Sequence, residues 1–270
     1  MLSGRMQHLH PRRCLFLALL MAAPCAASSA QRPLFEPTDL ELEDPGVLDF
    51  DFQLGLVRGQ DNWRVVTPDF EFDFGLARNL EFDLDGTYAI TGTTASPFAH
   101  PQPLPDALWT SAKFGLVDWV DGTTKRAWAL GGQVGPKLPI ARGNRGIGAE
   151  GLTLVGLAAG SFHFVLNTGL VIDPRPSANA QRPIGIEVGL DVNLALDHRE
   201  RYALTGELSA VRYLTNYPHE LLTTVGVLYS PSKYLDVSVV SLLGWLDGSD
   251  RYGLLFGLSP KLRLFGNSRG

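Results

Sequence analysis

Cysteine is almost absent from this chain, since its 270 residues include only Cys14 and Cys25, both near the amino terminus. The long remainder therefore offers no disulfide framework, zinc-thiolate site or thiol nucleophile. Long apolar runs are also lacking, because the run from Leu15 to Ala23 is well short of the roughly 18 residues of a transmembrane helix. These absences argue against a helical anchor and against a disulfide-stapled domain.

The amino-terminal segment predicts export. Arg5, Arg12 and Arg13 precede the apolar run, and a stretch of small residues ending at Ala30 follows it. This order is typical of a secretory signal peptide, and we expect cleavage after Ala30. A lipoprotein signal at Cys25 is the alternative, which the preceding proline disfavours. Cleavage would leave 20 of the 23 Lys and Arg against 28 Asp and Glu, an acidic balance that disfavours nucleic acid as a partner.

Strict alternation of apolar and acidic residues runs from Pro68 to Tyr88. Phenylalanine and leucine occupy one phase and aspartate and glutamate the other, with an interruption at Ala77-Arg78-Asn79. A period of two predicts β-strands, here a hairpin with one aromatic and one acidic face. A soluble sandwich would bury the aromatic face, whereas a membrane barrel would turn it to lipid and the acids to an aqueous lumen.

The same alternation recurs from Val47 onward in about twelve segments, each near the roughly 9 to 11 residues that cross a bilayer as a tilted strand. The predicted segments are 47–57, 68–76, 80–88, 108–117, 126–138, 152–158, 162–172, 184–196, 202–213, 221–229, 235–243 and 252–264. The parity of the tenth and eleventh is ambiguous, which predicts a bulge there. No window after the signal shows a helical stripe, so the predicted fold class is all-β.

Two regularities favour a barrel over a sandwich. Longer and shorter connectors alternate, as in outer-membrane barrels with long extracellular loops and short periplasmic turns. All five Trp and all seven Tyr lie near predicted strand ends, which is typical of two interfacial belts. The loop-side belt is Trp63, Tyr88, Trp109, Tyr213, Tyr217, Trp245 and Tyr252, and the turn-side belt is Trp119, Trp128, Tyr202, Tyr229 and Tyr234. We predict an up-and-down antiparallel transmembrane β-barrel of the Gram-negative outer-membrane type.

The chain then divides into a signal peptide at 1–30, a periplasmic arm at 31–46, the barrel at 47–265 and a tail at 266–270. The arm could also fold into the mouth of the barrel. The predicted location is the cell outer membrane, and the expected partners are outer-membrane lipid and the barrel-assembly machinery, which the aromatic ending of the last strand at Phe265 suggests. We expect a monomer.

Four short motifs are spread over most of the chain after the signal. They are Trp109-Thr110-Ser111-Ala112-Lys113-Phe114, Gly135-Pro136-Lys137-Leu138-Pro139, Phe162-His163-Phe164-Val165-Leu166-Asn167-Thr168-Gly169, and Glu207 with the later Ser230-Pro231 turn. These motifs resemble an outer-membrane transporter-like family named for the phenol meta-degradation pathway. The resemblance implies a barrel that carries hydrophobic aromatic compounds. It implies no binding residues, and a fold analogy does not identify a substrate.

The acidic phase of the strands holds the candidate functional residues. The predicted lumen-lining residues are Asp49, Asp51, Asp69, Glu71, Asp73, Glu81, Asp83, Asp85, Lys113, His163, Asn167, Glu187, Asp191 and Glu207. Like charges across strands are destabilising unless countered, and the expected counter-ions are Lys113, Lys137, Lys261, Arg212 and Arg263. The acids admit three interpretations: a solvated, ion-paired wall, the wall of a cation-preferring pore, or a calcium site, which the lack of a dedicated calcium-binding loop disfavours.

Ser161, His163 and Asn167 are the residues that most suggest catalysis, since an outer-membrane phospholipase uses Ser, His and Asn on adjacent strands facing lipid. Here they alternate along one strand on the lumen phase, so a nucleophile and base geometry is not expected. We predict no enzymatic activity, no cofactor and, as the favoured interpretation of the acids, no metal. The predicted function is a narrow channel or transporter for small solutes. A non-conducting structural or adhesion barrel that binds a partner through its loops is the alternative.

Overall fold

The computed structural model describes residues 42–60, 62–91, 102–121, 126–141, 143–198 and 201–265. The predicted signal peptide, most of the predicted arm and the tail at 266–270 lie outside these residues. Within them, no helix is long and apolar enough to cross a membrane.

Twelve antiparallel strands follow one another along the described chain. They are β1 (Val47–Arg58), β2 (Trp63–Ala77), β3 (Leu80–Thr91), β4 (Gln102–Asp121), β5 (Arg126–Lys137), β6 (Gly148–Ala159), β7 (Phe162–Ile172), β8 (Ile184–Ala195), β9 (Tyr202–Tyr213), β10 (Glu220–Ser232), β11 (Leu235–Gly244) and β12 (Tyr252–Arg263). Each strand pairs with its sequence neighbours, and β1 closes the ring against β12. The closed antiparallel barrel confirms the predicted fold class, and the described residues contain no helix.

Alternation predicts most strand positions closely, but β2 begins at Trp63 and not at 68, β6 begins at Gly148 and not at 152, and β4 differs at both ends. The predicted segments 162–172 and 202–213 match β7 and β9 at both ends. In contrast, β4 runs from Gln102 to Asp121 and not from 108 to 117. Its added residues pair with neighbouring strands through the backbone, as Gln102 does with Ala89 of β3 and Asp121 does with Arg126 of β5. Backbone pairing needs no alternation of side chains, so the extension leaves little trace in the sequence.

Irregular pairing is concentrated in β1 to β5. The register shifts between Gln53 and Gly55 of β1, twice between β2 and β3, and once in each of the next two pairs. The described pairs from β5 and β6 through β9 and β10 show no shift. The register of β10 and β11 shifts between Tyr229 and Ser232, in the link that follows the predicted tenth segment, whereas the pairs within the two predicted segments, where ambiguous parity predicts a bulge, are regular. Bulges increase local twist and redirect side chains.

The outer surface of the barrel is apolar. Aliphatic side chains such as Leu166, Leu170 and Val188 are exposed around β7 and β8. On β1 and β2 the outer face is aromatic, with the Phe50 and Phe72 rings in edge contact at 4.9 Å. Alternation predicts this outward orientation, in which the acids between the phenylalanines point to the interior.

Most aromatic residues of the two predicted belts lie on the outer surface near strand ends. Trp63 and Tyr252 contact edge to face at 5.6 Å on the side of the longer loops. Tyr202 and Tyr229 stack at 4.9 Å on the side of the short turns. We call these two sides the loop end and the turn end of the barrel.

Trp109 does not belong to the outer belt. Its side chain is 5% exposed and packs with Leu152 and Leu154 inside the barrel. The belt prediction is therefore wrong for Trp109. The residue lies four positions before Lys113 on β4, so it shares the inward phase of that lysine.

Candidate functional site in the barrel interior

Seven acidic side chains of β1, β2 and β3 are buried on the inner side of the barrel. They form the acidic wall, which we define as Asp49, Asp51, Asp69, Glu71, Asp73, Glu81 and Asp83, each 7% exposed or less. The register sets them side by side, since Asp51 pairs with Glu71. Asp73 pairs with Asp49 on one side and with Asp83 on the other. Alternation with phenylalanine thus brings all seven carboxylates to one face.

Two lysines bring positive charge to the acidic wall. Lys113 Nζ of β4 lies 3.0 Å from Glu81 Oε1, and both side chains are 1% exposed. Lys261 Nζ of β12 lies 2.9 Å from Asp49 Oδ2. These ammonium groups approach from the two edges of the wall and offset part of the repulsion between its carboxylates.

Neutral polar side chains of β4 and β5 continue the wall beyond β3. Ser111 Oγ donates a hydrogen bond of 3.1 Å to Asp83 Oδ2, and Gln133 Nε2 donates one of 2.7 Å to the same oxygen. Gln133 Nε2 also lies 2.7 Å from Ser111 Oγ. The three buried side chains form one connected network, which restricts the orientation of the Asp83 carboxylate.

The last residues of the predicted arm contact the turn end of the acidic wall. The backbone N–H of Glu43 donates a hydrogen bond to Glu81, and Glu43 Oε1 accepts one of 2.6 Å from Lys261 Nζ. Gly75 permits this approach, because a Cβ at that position would lie 2.3 Å from the carbonyl oxygen of Asp44. Residues 42–46 therefore reach the interior of the barrel, while the rest of the predicted arm lies outside the described residues.

Burial raises the pKa of Glu43 to about 7, and loss of hydration is the largest cause. The Lys261 ammonium opposes this rise, whereas the carboxylates of Asp49 and Glu81 add to it. A neighbouring negative charge disfavours ionisation of a carboxyl group. The contact between arm and wall therefore involves a carboxyl group that titrates near neutral pH.

Two groups of carboxylates in the acidic wall are close enough to share a cation. Asp51, Glu71 and Asp73 form the first group, and Asp73, Glu81 and Asp83 form the second. Within each group, one oxygen from every residue lies within 4.8 Å of the others. Asp73 belongs to both groups and is thus the central residue of the wall.

The other predicted lumen-lining residues lie at different depths. Asn167, Glu187 and Glu207, on β7, β8 and β9, are buried. Asp85, His163 and Asp191 are half-buried. In the ring of strands β7 to β9 lie across from β1 to β3. The structure thus gathers the acids of the first three strands and separates them from the residues on the opposite side.

The Ser161, His163 and Asn167 side chains do not form a catalytic arrangement. Ser161 is exposed in the turn between β6 and β7, whereas Asn167 is fully buried on β7. Six residues of extended strand separate them, which corresponds to about 20 Å. The three side chains therefore cannot meet at one site, as a Ser, His and Asn triad would require.

The expected counter-ions take several different positions. Lys137 pairs near the loop end with Glu150 at 2.8 Å and Asp173 at 3.1 Å. Arg263 pairs at 3.0 Å with Asp44 of the arm, where both side chains are largely exposed. Arg212 is exposed beside Ile186 on the outer phase of β9, so its assignment as a counter-ion is wrong. It follows the inward Val211 by one residue and must face the other way.

Two apolar clusters inside the barrel are not predicted from the sequence. Trp109, Leu152 and Leu154 form one of them. The other consists of Val57, Val66, Leu222, Val240, Leu242 and Leu255. Val66 and Asp69 both face inward although three positions separate them, because the register of β2 shifts between them. A bulge changes the phase of alternation, so simple periodicity assigns Val66 to the wrong face.

No protein-family model matches the sequence, and no curated protein matches it. Solved structures match the fold. The NanC porin superimposes with a TM-score of 0.57 at 10% identity, over 79% of this chain and 100% of the porin. An outer membrane channel from Pseudomonas putida F1 gives a TM-score of 0.58 at 9% identity, over 84% of this chain and 99% of the channel. The chain thus has the fold of porin-like outer-membrane barrels, which fits an outer-membrane location. None of these likenesses concerns the phenol meta-degradation pathway.

Proposed function

We propose that this protein is an outer-membrane channel for small solutes with a preference for cations. The acidic wall carries the proposal, because its buried carboxylates face the interior of a closed barrel with an apolar outer surface. Carboxylates that line a narrow lumen attract cations and repel anions. The fold shared with a porin and with a bacterial outer membrane channel supports the channel class.

The interior favours small solutes over large ones. Twelve strands give a barrel between the filled interior of about eight strands and the wide pore of about sixteen. Residues 42–46 occupy part of the turn end, and the two apolar clusters occupy part of the interior beyond the acidic wall. The resemblance to the phenol-pathway family adds aromatic compounds as candidate solutes. Trp109, with Leu152 and Leu154, offers such compounds an apolar contact.

The same proposal sets the orientation of the barrel. The loop end faces the outside of the cell, and the turn end, where β1 begins and β12 ends, faces the periplasm. The chain acts as a monomer after removal of the predicted signal peptide and insertion by the barrel-assembly machinery. It catalyses no reaction.

Reversal potentials in a salt gradient test the cation preference. The full mature chain is refolded, inserted into a planar bilayer and compared with the variant Asp69→Asn/Glu71→Gln/Asp73→Asn. We expect the wild type to prefer cations and the variant to lose most of that preference. The matched control, Glu187→Gln/Asp191→Asn/Glu207→Gln, neutralises the opposite side and should keep most of it. A heat-dependent gel shift verifies that each variant is folded.

A non-conducting barrel that binds a partner through its loops is the second candidate. The apolar clusters favour it, because buried valine, leucine and tryptophan side chains inside the ring reduce the space for solute. A refolded protein that shows no conductance would contradict the channel and support this candidate. Swelling of protein-containing liposomes in phenol solutions separately tests the aromatic solutes, and equal rates with and without protein would exclude them.

A further inference from the structure

The loops between β5 and β6 and between β7 and β8 carry positive charge, although the chain as a whole has a formal charge of -5. Residues 138–147 contain two arginines and no acid, and residues 173–183 contain two arginines and one acid, Asp173. Asp173 is buried and pairs with Lys137 at 3.1 Å, so its charge is already countered by another cation. The two loops thus concentrate arginine on one side of the loop end.

Backbone pairing holds two of these arginines directly opposite each other. The N–H of Arg145 donates to the carbonyl oxygen of Arg175 at 2.8 Å, and the N–H of Arg175 donates to the carbonyl oxygen of Arg145 at 2.9 Å. Because both hydrogen bonds join the same two residues, their Cβ atoms lie about 5 Å apart on one face of the pairing. Like charges in this position are destabilising unless a negative group counters them.

Arg182 brings a third guanidinium group to this pair. Its Nη1 donates a hydrogen bond of 3.0 Å to the carbonyl oxygen of Ile147. A Cβ at Gly146 would lie 2.4 Å from Nη2 of Arg182, so the glycine leaves room for the guanidinium group against the loop backbone. Since Gly146 directly follows Arg145, the Arg182 guanidinium lies within about 8 Å of the Arg145 Cα.

The three arginines have no negative partner within the part of the chain that the structure describes. Among those residues, the Arg145 side chain donates only to the carbonyl oxygen of Asn144, and the Arg175 side chain makes no hydrogen bond. The Nε of Arg182 is buried, and no described residue accepts its hydrogen bond. A buried N–H group without an acceptor is rare in folded proteins. The site therefore calls for an acceptor from outside the chain, and three positive charges favour an anion over water.

We propose that Arg145, Arg175 and Arg182 bind a phosphate group at the loop end of the barrel. A guanidinium group is a planar fork of N–H donors that matches two phosphate oxygens at once. A phosphate monoester carries about -1.5 to -2 charges at pH 7, so it offsets more of the three positive charges than a carboxylate does. In the proposed orientation the site faces the outside of the cell, where the phosphate belongs either to lipopolysaccharide of the outer leaflet or to a dissolved compound. The bound group would hold the two loops together across their like charges.

Calorimetric titration of the refolded mature protein with inorganic phosphate, at constant ionic strength, tests this site without any measurement of conductance. We expect saturable binding by the wild type. Arg145→Gln/Arg175→Gln/Arg182→Gln should bind phosphate roughly 10-fold more weakly or worse, because it removes the charge-assisted hydrogen bonds. The matched control, Arg126→Gln/Arg201→Gln/Lys233→Gln, removes three exposed positive charges from the turn end and should bind like the wild type.

Lipid A separates the two sources of phosphate. Thermal unfolding is measured in micelles that contain diphosphoryl lipid A or its dephosphorylated form. If the site takes lipopolysaccharide, only the phosphorylated form raises the unfolding temperature, and inorganic phosphate competes with it. If the site takes a dissolved compound, inorganic phosphate binds and the two forms of lipid A have equal effects. Either result supports the phosphate site.

The proposal fails if the wild type binds neither inorganic phosphate nor lipid A, or if the triple arginine variant binds them as tightly as its turn-end control. Should the triple variant not fold, Arg175→Gln provides the second test, because the Arg175 side chain makes no hydrogen bond to the residues that the structure describes. Weaker phosphate binding by Arg175→Gln supports the site, and unchanged binding contradicts it. A barrel that conducts ions but binds no phosphate would refute this inference and leave the proposed channel intact.

Discussion

The acidic wall on β1 to β3 and the opposite side on β7 to β9 arise from the same alternation but carry different inward side chains. The acidic wall buries seven carboxylates, whereas the buried polar residues of the opposite side are Asn167, Glu187, Thr205, Glu207 and Ser209. The pairing of β1 to β5 shifts at five places, and the described pairs from β7 to β9 show no shift. The side with many buried carboxylates thus has irregular strand pairing, and the side with few buried carboxylates has regular strand pairing.

The outer faces of the two sides also differ, because the face behind the acidic wall is aromatic and the face of the opposite side is aliphatic. Behind the acidic wall, Phe50, Phe52, Phe70 and Phe72 form a chain of ring contacts, with centroids separated by 4.9 to 6.1 Å. The opposite side exposes aliphatic residues such as Leu190 and Leu208. An aromatic pair contributes about 0.5–1.5 kcal/mol beyond its buried area. The aromatic outer face therefore helps to hold together the strands whose inner faces repel.

Removing Lys113 should have the largest effect on this contrast. Lys113→Met leaves Glu81 buried without its ammonium partner, and we expect a loss of about 3–5 kcal/mol in the free energy of unfolding. Urea unfolding in lipid vesicles, followed by tryptophan fluorescence, measures it. Arg263→Met is the control, because its ion pair with Asp44 is largely exposed and predicts a much smaller loss. Adding Glu81→Met to Lys113→Met should recover most of the stability; equal losses from Lys113→Met and Arg263→Met would disprove the special role of Lys113.

Asn167, on the side with regular strand pairing, offers a substitution that should increase stability. It is 0% exposed, and within the described residues neither its Oδ1 nor its Nδ2 has a hydrogen-bond partner. Its register partner is the equally buried Leu154. Asn167→Leu removes an unsatisfied polar group and should raise the free energy of unfolding by about 1–3 kcal/mol. Asn193→Leu, at a half-buried site on β8, should change it little. A destabilised Asn167→Leu would show that the amide has partners in solution, such as water.

Titration of Glu43 should change only the contact between the arm and the acidic wall. Its pKa is raised from 4.5 to about 7, so docking favours the protonated carboxyl group. The stabilisation is complete below about pH 4.5 and is lost as the pH rises through about 7. Protease protection of the arm should therefore fall between pH 5 and 8. This is a local opening, so global stability changes less.

Two variants separate Glu43 from other titrating groups. Glu43→Gln should give protection that is nearly constant with pH. Asp44→Asn alters an exposed pair with Arg263 and should keep the pH dependence of the wild type. An unchanged pH dependence in Glu43→Gln would assign the titration to another group.

The smallest expected effect concerns Trp109, and its test measures fluorescence quenching and not stability. Trp109 is 5% exposed inside the ring, whereas Trp63 is 40% exposed at the same end. In proteins that retain a single tryptophan, brominated lipids should quench Trp63 strongly and Trp109 weakly. Equal quenching of the two residues would show that Trp109 faces lipid, as the belt prediction states.

Alternation was sufficient for the number of strands and for most of their positions, but not for every strand end or side chain. It predicts β7 and β9 to the residue and the inward phase of the acids on β1 to β3. It fails at Val66, where a bulge changes the phase. For Trp109, alternation with Lys113 gives the correct inward face. The belt assignment is wrong because nearness to a strand end does not determine which face of the strand a residue occupies. The partners of Lys113 and Lys261 depend on strand neighbours that alternation does not name.

The sequence alone determined that this chain consists of about twelve two-faced strands, because the period of two and the chemistry of the two phases are local properties. Only the tertiary structure decided that β1 closes on β12, that Lys113 meets Glu81 and that Asp73 lies between two carboxylate groups. These features depend on register, which backbone pairing between distant segments sets. A shift of one residue in that pairing would turn the carboxylates of the shifted strand to the outer surface.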